Sequence, residues 1–296
     1  VGKISQRREI RSHVPKIMTT VIRLHPDTPV TKHWFDDAPK DTLLVRSDFL
    51  TLQGEGPFMG QRCHFVRLAG CNYGDKTHHC GGLHLSCDTD FRVAESTRLT
   101  FDELEARLRP SVMDNRLRVV VTGGEPLLQS ANLTRFIQRL VSSDSVEYKV
   151  QIETNGTHLD ELRDLLLTYP STYLEVVCSP KAHEVNGYSE TFLRHLTSLA
   201  DRHLNLSLKF LVGTGPYADL PECVLAALTA RRRFGKVFLS PITVYADTYD
   251  GEIANSWDPS LVNIPATAAN HARAAELAVK HGFRLSVQMH NFCTIP

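Results

Sequence analysis

Val119-Val120-Val121-Thr122-Gly123-Gly124-Glu125-Pro126 is the stretch from which the fold is read. Three consecutive β-branched residues mark a strand covered on both faces, as in parallel sheets flanked by helices. Gly123 and Gly124 then let the backbone come close to a ligand, with no Cβ in the way. Glu125 can accept from an ammonium group, and Pro126 suits the first turn of a following helix. A helical stripe does follow, at Leu133, Phe136, Ile137, Leu140 and Val141. Strand, glycine turn and amphipathic helix together make one βα unit.

The same alternation runs through the rest of the chain. Further apolar runs of strand length lie at about 62–69, 148–154, 173–178, 206–212, 236–240 and 284–288. Leu159, Leu162, Leu165 and Leu166 form a second helical stripe, and Thr100 with Glu103 fits a capping box. Ala266 to Lys280 is rich in helix formers and stops at Gly282. Strands alternating with helices imply parallel βα units. With about six parallel strands, the expectation is an α/β fold: a partial (βα) barrel rather than a flat doubly wound sheet. Its distinctive residues fall at strand ends: Cys71, Thr122, Glu153-Thr154-Asn155, Ser179-Pro180-Lys181, Ser240-Pro241 and Gln288-Met289-His290. In parallel barrels that rim is where chemistry is built. Residues 1–42 show little periodicity and several prolines, so they read as an N-terminal extension ahead of a domain over 43–296. The stretch 244–265 reads as a long loop.

Composition narrows the classes. The chain has 296 residues, 42% of them hydrophobic, enough to bury a sizeable core. Lys plus Arg and Asp plus Glu are both 33, which argues against direct nucleic-acid binding and against a membrane surface. No run of about 18 apolar residues is present to span a bilayer. The basic start (Lys3, Arg7, Arg8, Arg11, Lys16) lacks the apolar segment of a secretory signal. Met18 lies downstream of Val1, so the first residues read as a leader or an unusual start, and the expected compartment is the cytoplasm.

Seven cysteines are present, three of them in one loop: Cys71, Cys80 and Cys87. In a reducing compartment such a cluster holds metal more often than it forms disulfides. Three thiolates suit an iron–sulfur cluster with one open iron position. The competing reading is a structural zinc site, since His78, His79 and His84 lie among the cysteines, although the C-x2-C knuckle typical of zinc is absent. Cys63, Cys178, Cys223 and Cys293 read as packed thiols.

The cysteine loop entered by His64-Phe65-Val66-Arg67-Leu68-Ala69-Gly70-Cys71-Asn72, combined with the Gly-Gly-Glu-Pro turn, resembles the radical S-adenosylmethionine (SAM) enzymes. The spacing of its cysteines is wider than is usual there. Adding Leu52-Gln53-Gly54-Glu55-Gly56-Pro57, Cys87-Asp88-Thr89, Glu153-Thr154-Asn155-Gly156-Thr157, Ser179-Pro180-Lys181 and Gln288-Met289-His290 narrows the resemblance to the 7-carboxy-7-deazaguanine synthases, over about residues 45–296.

That resemblance implies a 4Fe–4S cluster on Cys71, Cys80 and Cys87, and SAM held by Ser86, Asp88, Gly124, Glu125, Glu153, Asn155, Ser179, Lys181 and Ser240. It implies a Mg²⁺ ion at Thr89. It further implies a pterin substrate contacted by Leu52, Gln53, Gly54, Glu55, Arg67, Thr122, His290 and the terminal carboxylate of Pro296. In that reading Gln53 and Glu55 read the polar edge of the pterin, and Arg67 clamps its carboxylate. The activity implied is ring contraction of 6-carboxy-5,6,7,8-tetrahydropterin, with an electron donor such as flavodoxin and a homodimeric assembly. The alternatives weighed are another radical SAM enzyme, such as a glycyl-radical-enzyme activase, and a zinc-binding, non-catalytic module.

Overall fold

The computed structural model describes residues 35–72, 91, 93–181, 190–214, 222–229, 236–244, 262–289 and 293. These residues form one nine-stranded sheet in the order β3-β1-β2-β4-β5-β6-β7-β8-β9. The strands are β1 (Thr42–Leu52), β2 (Arg62–Leu68), β3 (Thr97–Thr100), β4 (Arg116–Gly123), β5 (Glu147–Thr154), β6 (Leu174–Cys178), β7 (Leu206–Val212), β8 (Val237–Pro241) and β9 (Arg284–Leu285). From β2 through β4 to β9 every pairing is parallel, so seven strands share one direction. The sequence reading anticipated these seven but not β1 and β3, which pair antiparallel at one edge. β9 is also shorter than expected, because residues 286–288 leave the ladder after Leu285.

Helices α1 (Phe101–Leu108), α2 (Ser130–Val141), α3 (Leu159–Thr168), α4 (Glu190–Arg202), α5 (Glu222–Thr229) and α6 (Ile264–His281) connect the strands. Right-handed βα connections carry them to one face of a parallel sheet. Every second strand residue faces them: Leu117, Val119 and Val121 in β4, Val150 and Ile152 in β5, and Leu208 and Phe210 in β7 join one core with Leu104, Phe136, Leu162 and Leu196. The expected capping box is present, Thr100 Oγ1 accepting from Glu103 N while Thr100 N donates to the Glu103 carboxylate. The expected end of the last helix is also present, with Gly282 at φ 72° as its left-handed cap. Two local details differ. Pro126 opens a 3-10 turn over Pro126–Gln129 before α2 begins at Ser130. Helix α6 starts at Ile264, inside the stretch read as loop, because the Asn263 side chain caps Ala266 N.

The opposite face of the sheet is concave. Gly56 N donates to Ser286 Oγ (2.8 Å), just past β9, while the Phe58 ring lies under the Arg118 guanidinium of β4 at 3.6 Å. On a flat sheet those two strands would stand about 24 Å apart at ~4.8 Å per strand. Two residues of chain reach only about 7 Å. Contact with both therefore requires the sheet to curl around residues 53–58. The sheet stays open at β3 and β9, so the curl is a partial barrel.

Phe136 is fully buried between α2 and the sheet, with its ring centroid 5.2 Å from that of Phe101. Phe136→Ala is expected to lower stability by about 3–5 kcal/mol through lost contacts and the cavity left behind. The midpoint of urea denaturation, with an unchanged slope, measures it.

Candidate active site

The C-terminal ends of β4 and β5 meet the turn that carries Cys71. Residue Cys71 is 3% exposed at the turn after β2, and Gly70 before it takes φ 88°. The end of β4 presses directly on that turn: Glu125 N donates to Gly70 O (2.9 Å) and Gly124 N to Leu68 O (3.3 Å). A Cβ on Gly124 would lie 2.1 Å from Gly70 O and 2.6 Å from Cys71 Cβ. The two glycines were expected to admit a ligand; in the structure they first admit the backbone of the cysteine turn. Asn72 continues the linkage. Its Oδ1 accepts from Asn155 Nδ2 (2.9 Å) and its Nδ2 donates to Thr157 Oγ1 (2.9 Å), tying the cysteine turn to the end of β5.

Glu125 departs from the expectation of a carboxylate open to an ammonium group. It is fully buried, accepting from Leu127 N (2.9 Å), Thr154 Oγ1 (2.8 Å) and Asn155 N (2.7 Å). Burial raises its carboxyl to about 7, opposed by those three hydrogen bonds and by the nearby charge of Lys181. Ser179 and Lys181 follow β6 on the same rim, Lys181 Nζ donating to Ser179 Oγ at 3.1 Å. Ser240 faces the concave side from β8 and is fully buried.

Below the rim, the concave face is polar. Glu153 Oε1 accepts from Gln53 Nε2 (2.9 Å) and Gln151 Nε2 (3.0 Å), and its Oε2 accepts from Thr122 Oγ1 (3.4 Å). Glu153, expected beside SAM, points inward to Gln53 and Thr122, because side chains alternate along β5 and Thr154 takes the face next to Glu125. Glu55 accepts from Gln288 Nε2 (2.9 Å) at Oε1 and from Lys209 Nζ at Oε2. Gly54 O accepts from Met289 N at 3.0 Å. Arg67 comes within 5.3 Å of the Phe49 ring centroid. Leu52 does not join this group: its side chain is 37% exposed, since Thr51 and Gln53 take the inward positions.

Among the described residues, four buried polar atoms on this face have no hydrogen-bond partner: Arg67 Nε, Gln151 Oε1, Ser207 Oγ and Ser240 Oγ. Buried polar atoms are normally paired, so this cluster matches a ligand-binding surface. Lys209, Gln151 and Ser207 were missed as site residues. Lys209 carried a legible signal, as the one charge in the apolar run Leu206-Ser207-Leu208-Lys209-Phe210-Leu211-Val212. Cys80, Ser86, Cys87, Asp88, Thr89, His290 and Pro296 lie outside the described residues. Among the described residues no group of three or more His, Cys, Asp or Glu is placed to hold a metal. Cys63 and Cys178 are buried, as expected, and burial pushes the Cys63 thiol up to about 12. The Cys293 side chain, expected to be packed, is exposed.

No family model matches the chain. Individual relatives do. It is 33% identical over 269 residues to the 7-carboxy-7-deazaguanine synthase of Rhodospirillum rubrum, covering 88% of this chain and 95% of that one. It is 30% identical to the enzyme of the same name from Rickettsia prowazekii, covering 86% and 88%. The chain belongs to the 7-carboxy-7-deazaguanine synthase family. It is thereby an enzyme of 7-deazapurine biosynthesis of the radical SAM type, with a small molecule as substrate. The Hyperthermus butylicus synthase extends the match at 30% identity over 86% of this chain. A crystal structure of QueE from Escherichia coli is similar over 89% of this chain, with a TM-score of 0.48 and 19% identity. No helix among the described residues is long and apolar enough to cross a membrane.

Two outcomes follow from the rim. Glu125 is protonated more readily in the folded chain than in the unfolded one, since its carboxyl is raised from 4.5 to about 7. Its contribution to stability is complete below about pH 4.5 and is lost as pH rises through about 7. Relative to wild type, Glu125→Gln should gain on the order of 3 kcal/mol between pH 4.5 and 8, read from urea unfolding at each pH. Gly124→Ala should displace the cysteine turn, lowering the thermal midpoint and the iron content after anaerobic reconstitution; unchanged iron content would contradict the role given to this contact.

Proposed function

We propose that the chain converts 6-carboxy-5,6,7,8-tetrahydropterin to 7-carboxy-7-deazaguanine with loss of ammonia. The observation that carries this reading is the concave polar face beneath Cys71, where Gln53, Glu55, Thr122 and Glu153 supply facing acceptors and donors for a small polar heterocycle. The Glu55 carboxylate, an acceptor already from Gln288 and Lys209, would accept from the N–H groups of a pterin edge. Arg67, half-buried and with its Nε unpartnered, has the charge and planar geometry to take the substrate carboxylate. Residues 53–58 close the floor of the curl and would shield that side of the bound ring from water.

Cys71 fits a cluster ligand by its chemistry: a buried sulfur at a rim turn, with the loop that carries Cys80 and Cys87 leaving directly from it. When bound, the 4Fe–4S cluster with SAM supplies reductive cleavage and a hydrogen-abstracting radical. The chain's own groups hold and orient. Gly124, Asn155, Ser179, Lys181 and Ser240, joined by Ser86 and Asp88 of the cysteine loop, would hold SAM. Glu125, enclosed by Leu127, Thr154 and Asn155, would support the SAM site by fixing Asn155 and the turn after β4 rather than by meeting the ligand itself. Thr89 would reach a Mg²⁺ ion that orients the substrate carboxylate. His290 and the Pro296 carboxylate would complete the substrate pocket. Residues 1–42 form an extension to the catalytic domain. A flavodoxin-type electron donor, a homodimer and a cytoplasmic location complete the proposal.

Anaerobically reconstituted protein, incubated with SAM, dithionite, Mg²⁺ and 6-carboxytetrahydropterin, should form 7-carboxy-7-deazaguanine by mass spectrometry. Product should disappear in Cys71→Ala and Cys80→Ala. SAM cleavage without conversion of the pterin would refute the substrate, and protein that takes up zinc but no iron would refute the cluster.

A further inference from the structure

Lys209 is the least expected charge in the molecule. Strand β7 is otherwise apolar or small, and its side chain points into the curl, where its ammonium meets the Glu55 carboxylate; the two side chains are 12% and 13% exposed. Holding an ammonium group at that depth is costly unless it is paired. The pairing spans the barrel, since Glu55 follows β1 at one edge of the sheet and Lys209 lies in β7, five places away in strand order. Gln288 reaches the other Glu55 oxygen through its amide N–H, and Thr243 Oγ1 donates to the Gln288 carbonyl at 2.5 Å. Lys209 and Gln288 thus both approach Glu55 as donors. A protonated Glu55 would turn an O–H toward a donor or lose one of these bonds.

We propose that Lys209 is the positioning residue that keeps Glu55 an ionised, acceptor-only group, and so sets the enzyme's choice for a ring edge presenting two adjacent N–H donors. The proposal rests on the reading of Glu55 as the group that meets the pterin edge. A 2-amino-4-oxo ring presents donor beside donor, which matches a carboxylate. A ring with a second oxo group in place of the amine presents donor beside acceptor, which repels a carboxylate but matches a carboxylic acid. With the Lys209 charge removed, Glu55 loses a counter-charge in a largely buried position, and the neutral acid is favoured. Discrimination between the two rings then collapses, whereas a change in general packing weakens both ligands alike.

The test uses reconstituted holoenzyme and two unreactive probes, 6-carboxypterin and 6-carboxylumazine, with affinities measured by fluorescence quenching at pH 6.5. Wild type should prefer the pterin by about tenfold or more, the scale of one misplaced charge-assisted hydrogen bond. Lys209→Met should bring the ratio near one by strengthening lumazine binding and weakening pterin binding, and Lys209→Arg should restore the preference. Lys209→Gln serves in place of the Met variant if that one does not fold, with SAM binding as the check on both. A ratio unchanged in Lys209→Met or Lys209→Gln overturns the proposal. If wild type binds neither probe, the pterin reading itself falls and takes the proposal with it.

Discussion

A carboxylate inside a barrel must be met by donors, and Glu55 is met from the opposite wall by Lys209 and from beyond β9 by Gln288. This cross-barrel contact draws together the first and last parts of the sheet. Residues 53–58 enter the curl with it, and Gly56 and Phe58 then bridge Ser286 and Arg118. The segment acts as a floor, removing the concave face from water on one side. Burial of charge is costly, so the pairing of Glu55 with Lys209 and Gln288 offsets the cost of placing a carboxylate there.

The rim depends on a different constraint, the close approach of two backbones. With no Cβ on Gly124, the end of β4 lies against Gly70 and Cys71, and Glu125 is drawn beneath to receive three donors from its own turn and from β5. Asn72 and Asn155 extend the same link sideways. The cysteine turn is thus held by hydrogen bonds to two neighbouring strand ends. A redox cluster benefits from such support, because its ligands must keep their geometry when the electron count changes.

Much of this was legible in advance. Most of the seven parallel strands were visible as apolar runs, because strands covered on both faces, such as β4, β6 and β8, exclude polar residues except where a ligand or partner requires them. The helical stripes at Leu133–Leu140 and Leu159–Leu166 gave the covering layer, and each of these four named leucines except the partly buried Leu159 lies in the core. β1 and β3 escaped notice. The run from Thr42 to Leu52 mixes Arg46, Ser47 and Asp48 among its apolar residues, and an edge strand pair tolerates that mixture since one side faces solvent.

The sequence by itself determined the alternating α/β plan, the cysteine turn and its place at a strand end, and the family, because periodicity and local motifs are properties of neighbours along the chain. Only the tertiary structure decided which side of each motif faces the ligand. Leu52 turned outward while Gln53 turned in, Glu153 joined Gln53 and Thr122, and Glu125 was enclosed by its own turn. The pairing of Glu55 with Lys209 joins residues 154 positions apart. No local pattern encodes such a partner; it exists because the sheet curls and brings two opposite charges together in a largely buried space.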